Sequence, residues 1–397
     1  MDNKRWLVVV GGLMIQLCLG ALYAWSVFVT PLKELGLTTT QTQLIFSASI
    51  AAFAIVMIFA GRLQDNIGPR KVAAIGGILF GLGYILASRN LSFSWLIISI
   101  GIVGGAGLGL TYVCPLVCSV KWFPDKRGLV TGLSVAGFGG GALITSQIAP
   151  RLIASKGVSQ TFATIGVAFI VIIFIGAMLL QNPPKNYKPK GWKEKKRALH
   201  AKKEEHDWHE MIATKQFWLL WIIFILSASA GLMVIGNLKP YGTFSGITAA
   251  IAGTAVGTLA IFNACGRIAW GWMSDRLGRP KSILIMSAMQ GVAVLLLVKV
   301  GHLEMLLPIV AAFIGFNYGA NYALFPSATA DFFGTKNLGV NYGLLFTAFG
   351  VAGIIGPLVG GKIFDVTGSY IFAFILGSAM CFAAAALSFM IKNPYRE

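Results

Sequence analysis

Residues 61–71 read GRLQDNIGPRK, and residues 271–281 read GWMSDRLGRPK. The two stretches stand 210 positions apart and agree place by place: Gly61 with Gly271, Asp65 with Asp275, Gly68 with Gly278, Lys71 with Lys281. A charged, glycine-bearing segment is out of place in this chain of 397 residues, which is 56% hydrophobic and 12% charged. Its mean hydropathy is +0.76. Writing the segment twice therefore asks for an architectural reason.

On either side of each copy lie apolar runs of about 20 residues, the length that crosses roughly 30 Å of hydrocarbon. Cutting the chain at charge clusters and turn residues predicts twelve spans. In the first half they fall near 6–30, 41–62, 71–88, 94–119, 128–151 and 159–181. In the second they fall near 216–237, 248–271, 281–299, 303–328, 338–361 and 369–391. The first span starts at Trp6 without a small-residue cleavage pattern after it, and reads as a retained helix. All five cysteines fall inside spans, as small packing residues.

The net charge of +18 would point to nucleic acid on a soluble domain, but here it sorts by topology. Of 32 Lys and Arg, seven lie on one side of the spans: Lys33, Arg89, Arg151, Lys156, Lys239, Lys299 and Lys362. Arg267 lies within a span, which leaves 24 on the other side. That side is predicted to be cytoplasmic and to hold both termini and the central loop, in a multi-pass protein of the plasma (inner) membrane.

The repeat extends past the charged segments. Tyr112 matches Tyr322 at 210; at 211, Gly128 and Gly132 match Gly339 and Gly343, and Phe138-Gly139 matches Phe349-Gly350. The expectation is an all-α integral membrane protein of two pseudo-symmetric six-helix halves, 1–182 and 216–397, joined by a cytoplasmic linker, 183–215. Pro183, Pro184 and Pro189 exclude continuous helix at the start of the linker, and its Lys/Glu-rich remainder suits a surface helix. Parallel repeats of this kind build one large class of secondary transporters, with substrate at the midplane between them.

The doubled segment then falls after spans 2 and 8, on the cytoplasmic face. Gly61 and Gly271 admit a second helix at close range. Asp65 and Asp275 can accept hydrogen bonds from a neighbouring helix N-terminus, whose dipole favours them. Gly68 and Gly278 make the turns, and basic residues such as Arg70 follow. These residues form a candidate latch that is made when that face closes and broken when it opens. In this arrangement the chain resembles the major facilitator superfamily (MFS), whose loops after helices 2 and 8 carry a GxxxDxxGxRK-like signature. That resemblance covers the whole chain and is silent on substrate.

Charges at membrane depth are costly, which makes each a functional candidate. Arg267 in IFNACGRIAWGW is the clear case, with Asn263 one turn earlier on the same face. None of the 14 Asp and Glu lies clearly mid-span, and the four His are in loops or at span ends. An anionic substrate is then the natural partner, and a guanidinium binds a carboxylate through two parallel hydrogen bonds. One cation argues for a monoanion. Tyr318 and Tyr322 share a face of span 10, with Tyr112 the repeat mate of Tyr322. Phe346 and Phe349 lie three apart in span 11, and Leu22 and Tyr23 approach from span 1.

The stretches GALYAWSVF, KWFPDKRGLVTGLSVAGFGGG and NYGLLFTAFGVAG resemble the bacterial oxalate/formate antiporter family and bacterial homologues of the monocarboxylate transporters. The resemblance implies that Arg267, in the place of a helix-8 arginine, binds the substrate carboxylate. Oxalate exchangers of that family add a lysine in helix 11, where this chain has Phe349. Animal monocarboxylate transporters carry an aspartate where this chain has Asn263. The expected function is alternating-access transport of a small monocarboxylate such as lactate or pyruvate with a proton. Carboxylate exchange is the alternative. A monomer in the lipid bilayer, no metal, no organic cofactor, no nucleic acid and no enzymatic chemistry complete the expectation, since no nucleophile–base pair or metal cluster lies at depth.

Overall fold

The computed structural model describes residues 2–124, 126–184, 187 and 205–391. Eleven helices among them are long and apolar enough to cross a membrane, and one, of 52 residues, is long enough to do so twice. The first crossing, α1, is Asp2–Leu19 continued by a tight 3₁₀ turn, Gly20–Ala24, and by Ser26–Glu34. Next come α2 (Thr39–Ile67), α3 (Pro69–Ala87) and α4 (Phe93–Trp122). The continuous segment Arg127–Leu179 breaks at Gly157, whose φ of 77° and ψ of 169° leave the helical region. The part before the break is α5 and the part after it α6. The remaining six are α7 (Lys215–Phe244), α8 (Ala249–Leu277), α9 (Arg279–Val300), α10 (Leu306–Phe333), α11 (Leu338–Thr367) and α12 (Ile371–Ser388).

The local start and stop signals recur at the repeat spacing. Thr38 caps α2 by accepting from the Gln41 amide, and Thr248 caps α8 by accepting from the Ile251 amide. Gly68 and Gly278, with φ of 90° and 87°, end α2 and α8 and permit the sharp entry into α3 and α9. These glycines explain the chief difference from the predicted span ends. Charged residues suggested that α2 stops near 62, but the helix runs through Arg62 and Asp65 until the left-handed turn at Gly68.

At the end where the linker attaches, hereafter the linker face, the two halves touch through a crossing made twice. Gly61 of α2 lies against Gly339 of α11, and Gly271 of α8 lies against Gly128 of α5. A Cβ on Gly61 or Gly271 would overlap the carbonyl of the glycine it faces. Since Gly61 is the mate of Gly271 and Gly128 the mate of Gly339, the partners simply exchange roles between halves.

The chain leaves α6 at Leu180 and runs non-helically through Pro183 and Pro184. Most of the Lys/Glu-rich linker expected as a surface helix, 188–204, lies outside the described residues; its described end holds a short helix, Trp208–Ile212. Where the chain resumes it is strapped to the turn between α10 and α11. The His206 amide donates to the Phe333 carbonyl at 3.1 Å, and the Lys336 amide donates to Glu205 Oε2 at 2.8 Å.

Candidate functional site

Arg267 lies ten residues inside the linker-face end of α8 and is 1% exposed, so it does not snorkel to a surface. Its backbone is pressed between two helices, with Gly132 of α5 on one side. One turn earlier, the Asn263 backbone meets Gly319 of α10 in the same way. The side chain of Arg267 is therefore delivered to the seam between the halves, where Nε donates to Asn263 Oδ1 at 2.9 Å. One terminal nitrogen donates to the Val135 carbonyl of α5 at 2.5 Å. Among the described residues it has no carboxylate partner.

Aromatic faces take the place of an acid. The guanidinium carbon sits 4.4 Å from the Tyr322 ring centroid and 5.3 Å from that of Phe138, both within cation–π range. Tyr322 in turn belongs to a triangle of hydroxyls: Tyr23 to Tyr322 at 2.6 Å, Tyr23 to Tyr318 at 3.1 Å and Tyr318 to Tyr322 at 2.5 Å. The carboxamide of Asn263 is held by Arg267 through its oxygen, which leaves Nδ2 buried without a hydrogen-bond partner. Asn263 and Tyr23 line a cavity of about 30 Å³ between α1, α5, α7 and α8, on the side of Arg267 away from the linker face. Two polar residues of the cavity wall lead directly to the rest of the site, Asn263 to Arg267 and Tyr23 to Tyr318 and Tyr322. A cationic fork, an unused amide donor and hydroxyls linked in this way can hold a carboxylate by charge-assisted hydrogen bonds.

Of the residues singled out by sequence, Arg267, Asn263, Tyr318 and Tyr322 meet directly. Tyr112, Phe346 and Phe349 form the next layer: Phe349 stacks edge-on to Tyr322 at 5.6 Å, and Tyr112 lies 5.5 Å from Phe346. Leu22 is buried, but the contact with the hydroxyl triangle belongs to its neighbour Tyr23. Two residues escaped the sequence reading. Phe53 of α2 touches Tyr112 at 5.1 Å and Phe346 at 4.8 Å. Tyr342 of α11 lies 5.6 Å from Phe346 and is fully buried. The signal that could have found Phe53 is the repeat itself, since it is the mate of Asn263.

At the linker face Asp275 accepts from the Gly128 and Leu129 amides, at 3.1 and 3.2 Å, and so caps α5 of the other half. Arg279 binds Asp275 and Asp331, each at 2.7 Å, and donates to Ser274 Oγ. Asp65 instead pairs with Lys121 at 2.9 Å, within its own half. Arg70, expected in the latch, is exposed and makes none of these contacts, while Arg279, one place earlier in its copy, is buried. The two copies carry Pro-Arg and Arg-Pro in opposite order, and the position directly after the glycine is the one turned inward.

Comparison with known proteins agrees with this architecture. The family model described as Major Facilitator Superfamily matches residues 8–271 and 230–397. YhjX of Escherichia coli (strain K12), an uncharacterised MFS-type transporter, is 31% identical over 359 residues, 89% of this chain and 87% of that protein. The oxalate:formate antiporter of Oxalobacter formigenes is 29% identical over 392 residues, 98% of this chain and 91% of that one. Apicoplast pyruvate carrier 1 of Toxoplasma gondii is 25% identical over 450 residues, covering 87% and 81%. The solved structure of the proton:xylose symporter XylE superposes with a TM-score of 0.73 at 13% identity, covering 98% of this chain and 96% of that one, a likeness of fold alone. With eleven membrane-length helices among the described residues, one of them broken at Gly157 into two crossings, and a family match running from residue 8 to residue 397, the chain belongs to the major facilitator superfamily of membrane transporters.

Proposed function

We propose that this transporter carries a small monocarboxylate, of the size of lactate or pyruvate, together with a proton across the plasma membrane. The observation that supports this reading is Arg267: a fully buried guanidinium with no acid beside it among the described residues and an unused donor, Asn263 Nδ2, at its side. An anion entering the small cavity replaces the Val135 carbonyl as the partner of Arg267, and Tyr318, Tyr322 and Tyr112 turn hydroxyls towards it. The linker face is cytoplasmic in this reading, with both termini and residues 183–215 on that side. The halves, 1–182 and 216–397, rock about the site; Gly61, Gly271 and Asp275, set by the turns at Gly68 and Gly278, hold the cytoplasmic face shut while the site is open outward, and Asp65 braces its own half through Lys121. No metal or organic cofactor has a role in this scheme.

The second reading, exchange of one carboxylate for another, is favoured by the same arginine. A buried cation without an anion is costly to move, so an empty carrier resists reorientation. The relationship to an oxalate:formate antiporter points the same way, although Phe349 supplies no second cation.

Uptake of labelled L-lactate into proteoliposomes separates the readings. Symport predicts uptake driven by an inward proton gradient and abolished in Arg267→Gln. Exchange predicts uptake only when carboxylate is loaded inside. Equal transport by Arg267→Gln and the wild type would remove Arg267 from the site.

A further inference from the structure

The repeat that places Asn263 and Arg267 on α8 also defines their counterparts in the other half. At 210 positions earlier, α2 carries Phe53 and Met57. The scaffolds around the two pairs correspond closely. Gly319 of α10 abuts the Asn263 backbone, and its mate Gly109 of α4 abuts the Phe53 backbone. Gly132 of α5 abuts Arg267, and its mate Gly343 of α11 abuts the Met57 carbonyl. The rings correspond too: Tyr322 and Phe138 flank Arg267, while their mates are Tyr112 and Phe349. Phe53 packs against both, at 5.1 and 6.0 Å. The chain has kept two copies of one packing arrangement and made one polar and the other apolar.

We propose that Phe53 and Met57 are the specificity-determining wall for the apolar tail of the substrate, the mirror of the carboxylate-binding pair Asn263–Arg267. The inference rests on the reading of Arg267 as an anion site. The seam between the halves is thereby polarised: head group to α8, hydrocarbon to α2. A substrate spanning the seam satisfies both walls if it is a monoanion with a short tail. A second carboxylate would be aimed at Phe53 and Met57, neither of which offers a hydrogen bond, and an unpaired charge there is rejected. Tail length is limited by the Phe53 ring, because it closes against Phe346 at 4.8 Å.

Ligand-induced thermal stabilisation of the purified full-length protein tests this without knowing the transported substrate. The ligands are acetate, propionate, butyrate and valerate, with malonate as the dicarboxylate. Wild type is expected to bind propionate more tightly than valerate and to ignore malonate. In Phe53→Ala the valerate-to-propionate affinity ratio rises roughly tenfold, the scale of a methylene or two in an apolar pocket. In Phe53→Leu, which keeps the wall apolar and better filled, it rises about two- to threefold. Met57→Arg gains malonate binding. Unchanged ratios in folded Phe53→Ala and Phe53→Leu, with no malonate binding by Met57→Arg, overturn the proposal while leaving the monocarboxylate reading intact. A wild-type protein stabilised by none of the monocarboxylates overturns both.

Discussion

The two copies of the doubled loop begin alike and end differently. Both bring a glycine of α2 or α8 against a glycine of the opposite half, and both turn at a left-handed glycine. Beyond that, the α8 copy builds a three-residue clasp around the buried Arg279, Asp275–Arg279–Asp331, whose first carboxylate grips the α5 amides across the seam. The α2 copy builds one ion pair without a buried cation, Asp65–Lys121, that stays within its own half. Lys121 and Asp331 are repeat mates of opposite charge, and Pro69 stands where Arg279 stands. Close backbone packing is thus common to both loops, while among the described residues charged cross-seam grip belongs to one. Closure of the linker face is predicted to be lopsided, secured mainly on the α5–α8 side.

The sharpest way to break this asymmetry is Arg279→Met. It removes the cation that two carboxylates share, and losing one member of a buried pair costs about 3–5 kcal/mol, an upper figure here because Asp275 is partly exposed and keeps its α5 amides. Thermal unfolding should fall clearly, and thiols placed beneath the loop should become reactive. Next come Gly61→Ala and Gly271→Ala, which drive a methyl into an opposing carbonyl. These should cost roughly 1–3 kcal/mol each and, unlike the charge variants, be nearly equal to one another. Unequal thiol exposure in that pair would mean the backbone crossings are not the shared element. Asp275→Asn keeps the shape but weakens a charged helix cap, for about 1 kcal/mol, seen as a modest rise in linker-face labelling. Smallest is Lys121→Met. It removes a pair whose side chains are 24% and 25% exposed, for about 0–1 kcal/mol. A Lys121→Met effect as large as that of Arg279→Met would abolish the distinction between the two loops.

Much of this was legible before any coordinates. The periodic spans, the repeat and the one deep arginine follow from where charge interrupts apolar sequence, because burying a charge is too costly to be casual. What stayed hidden depended on direction. Arg70 looks as suitable as Arg279 until the turn at Gly278 shows which side chain the next helix carries inward. Leu22 and Tyr23 are adjacent, and only the tightened turn Gly20–Ala24 decides that Tyr23 reaches the seam. Phe53 was invisible for a different reason: a phenylalanine in an apolar helix is unremarkable in composition, and its meaning comes from the residue it mirrors.

The hydroxyl triangle has a consequence for how the site meets an anion. Tyr23, Tyr318 and Tyr322 own one donatable proton each, and three edges join them. A closed circuit of this kind commits every proton to a neighbouring hydroxyl and presents mainly lone pairs outward, which is repulsive to a carboxylate. The loop must open at one edge before any tyrosine can greet the substrate. A neutral hydroxyl donor meets the closed circuit without opening it, whereas a carboxylate must offset the lost edge with a charge-assisted hydrogen bond, so the preference for an anion rests on Arg267 and not on the triangle.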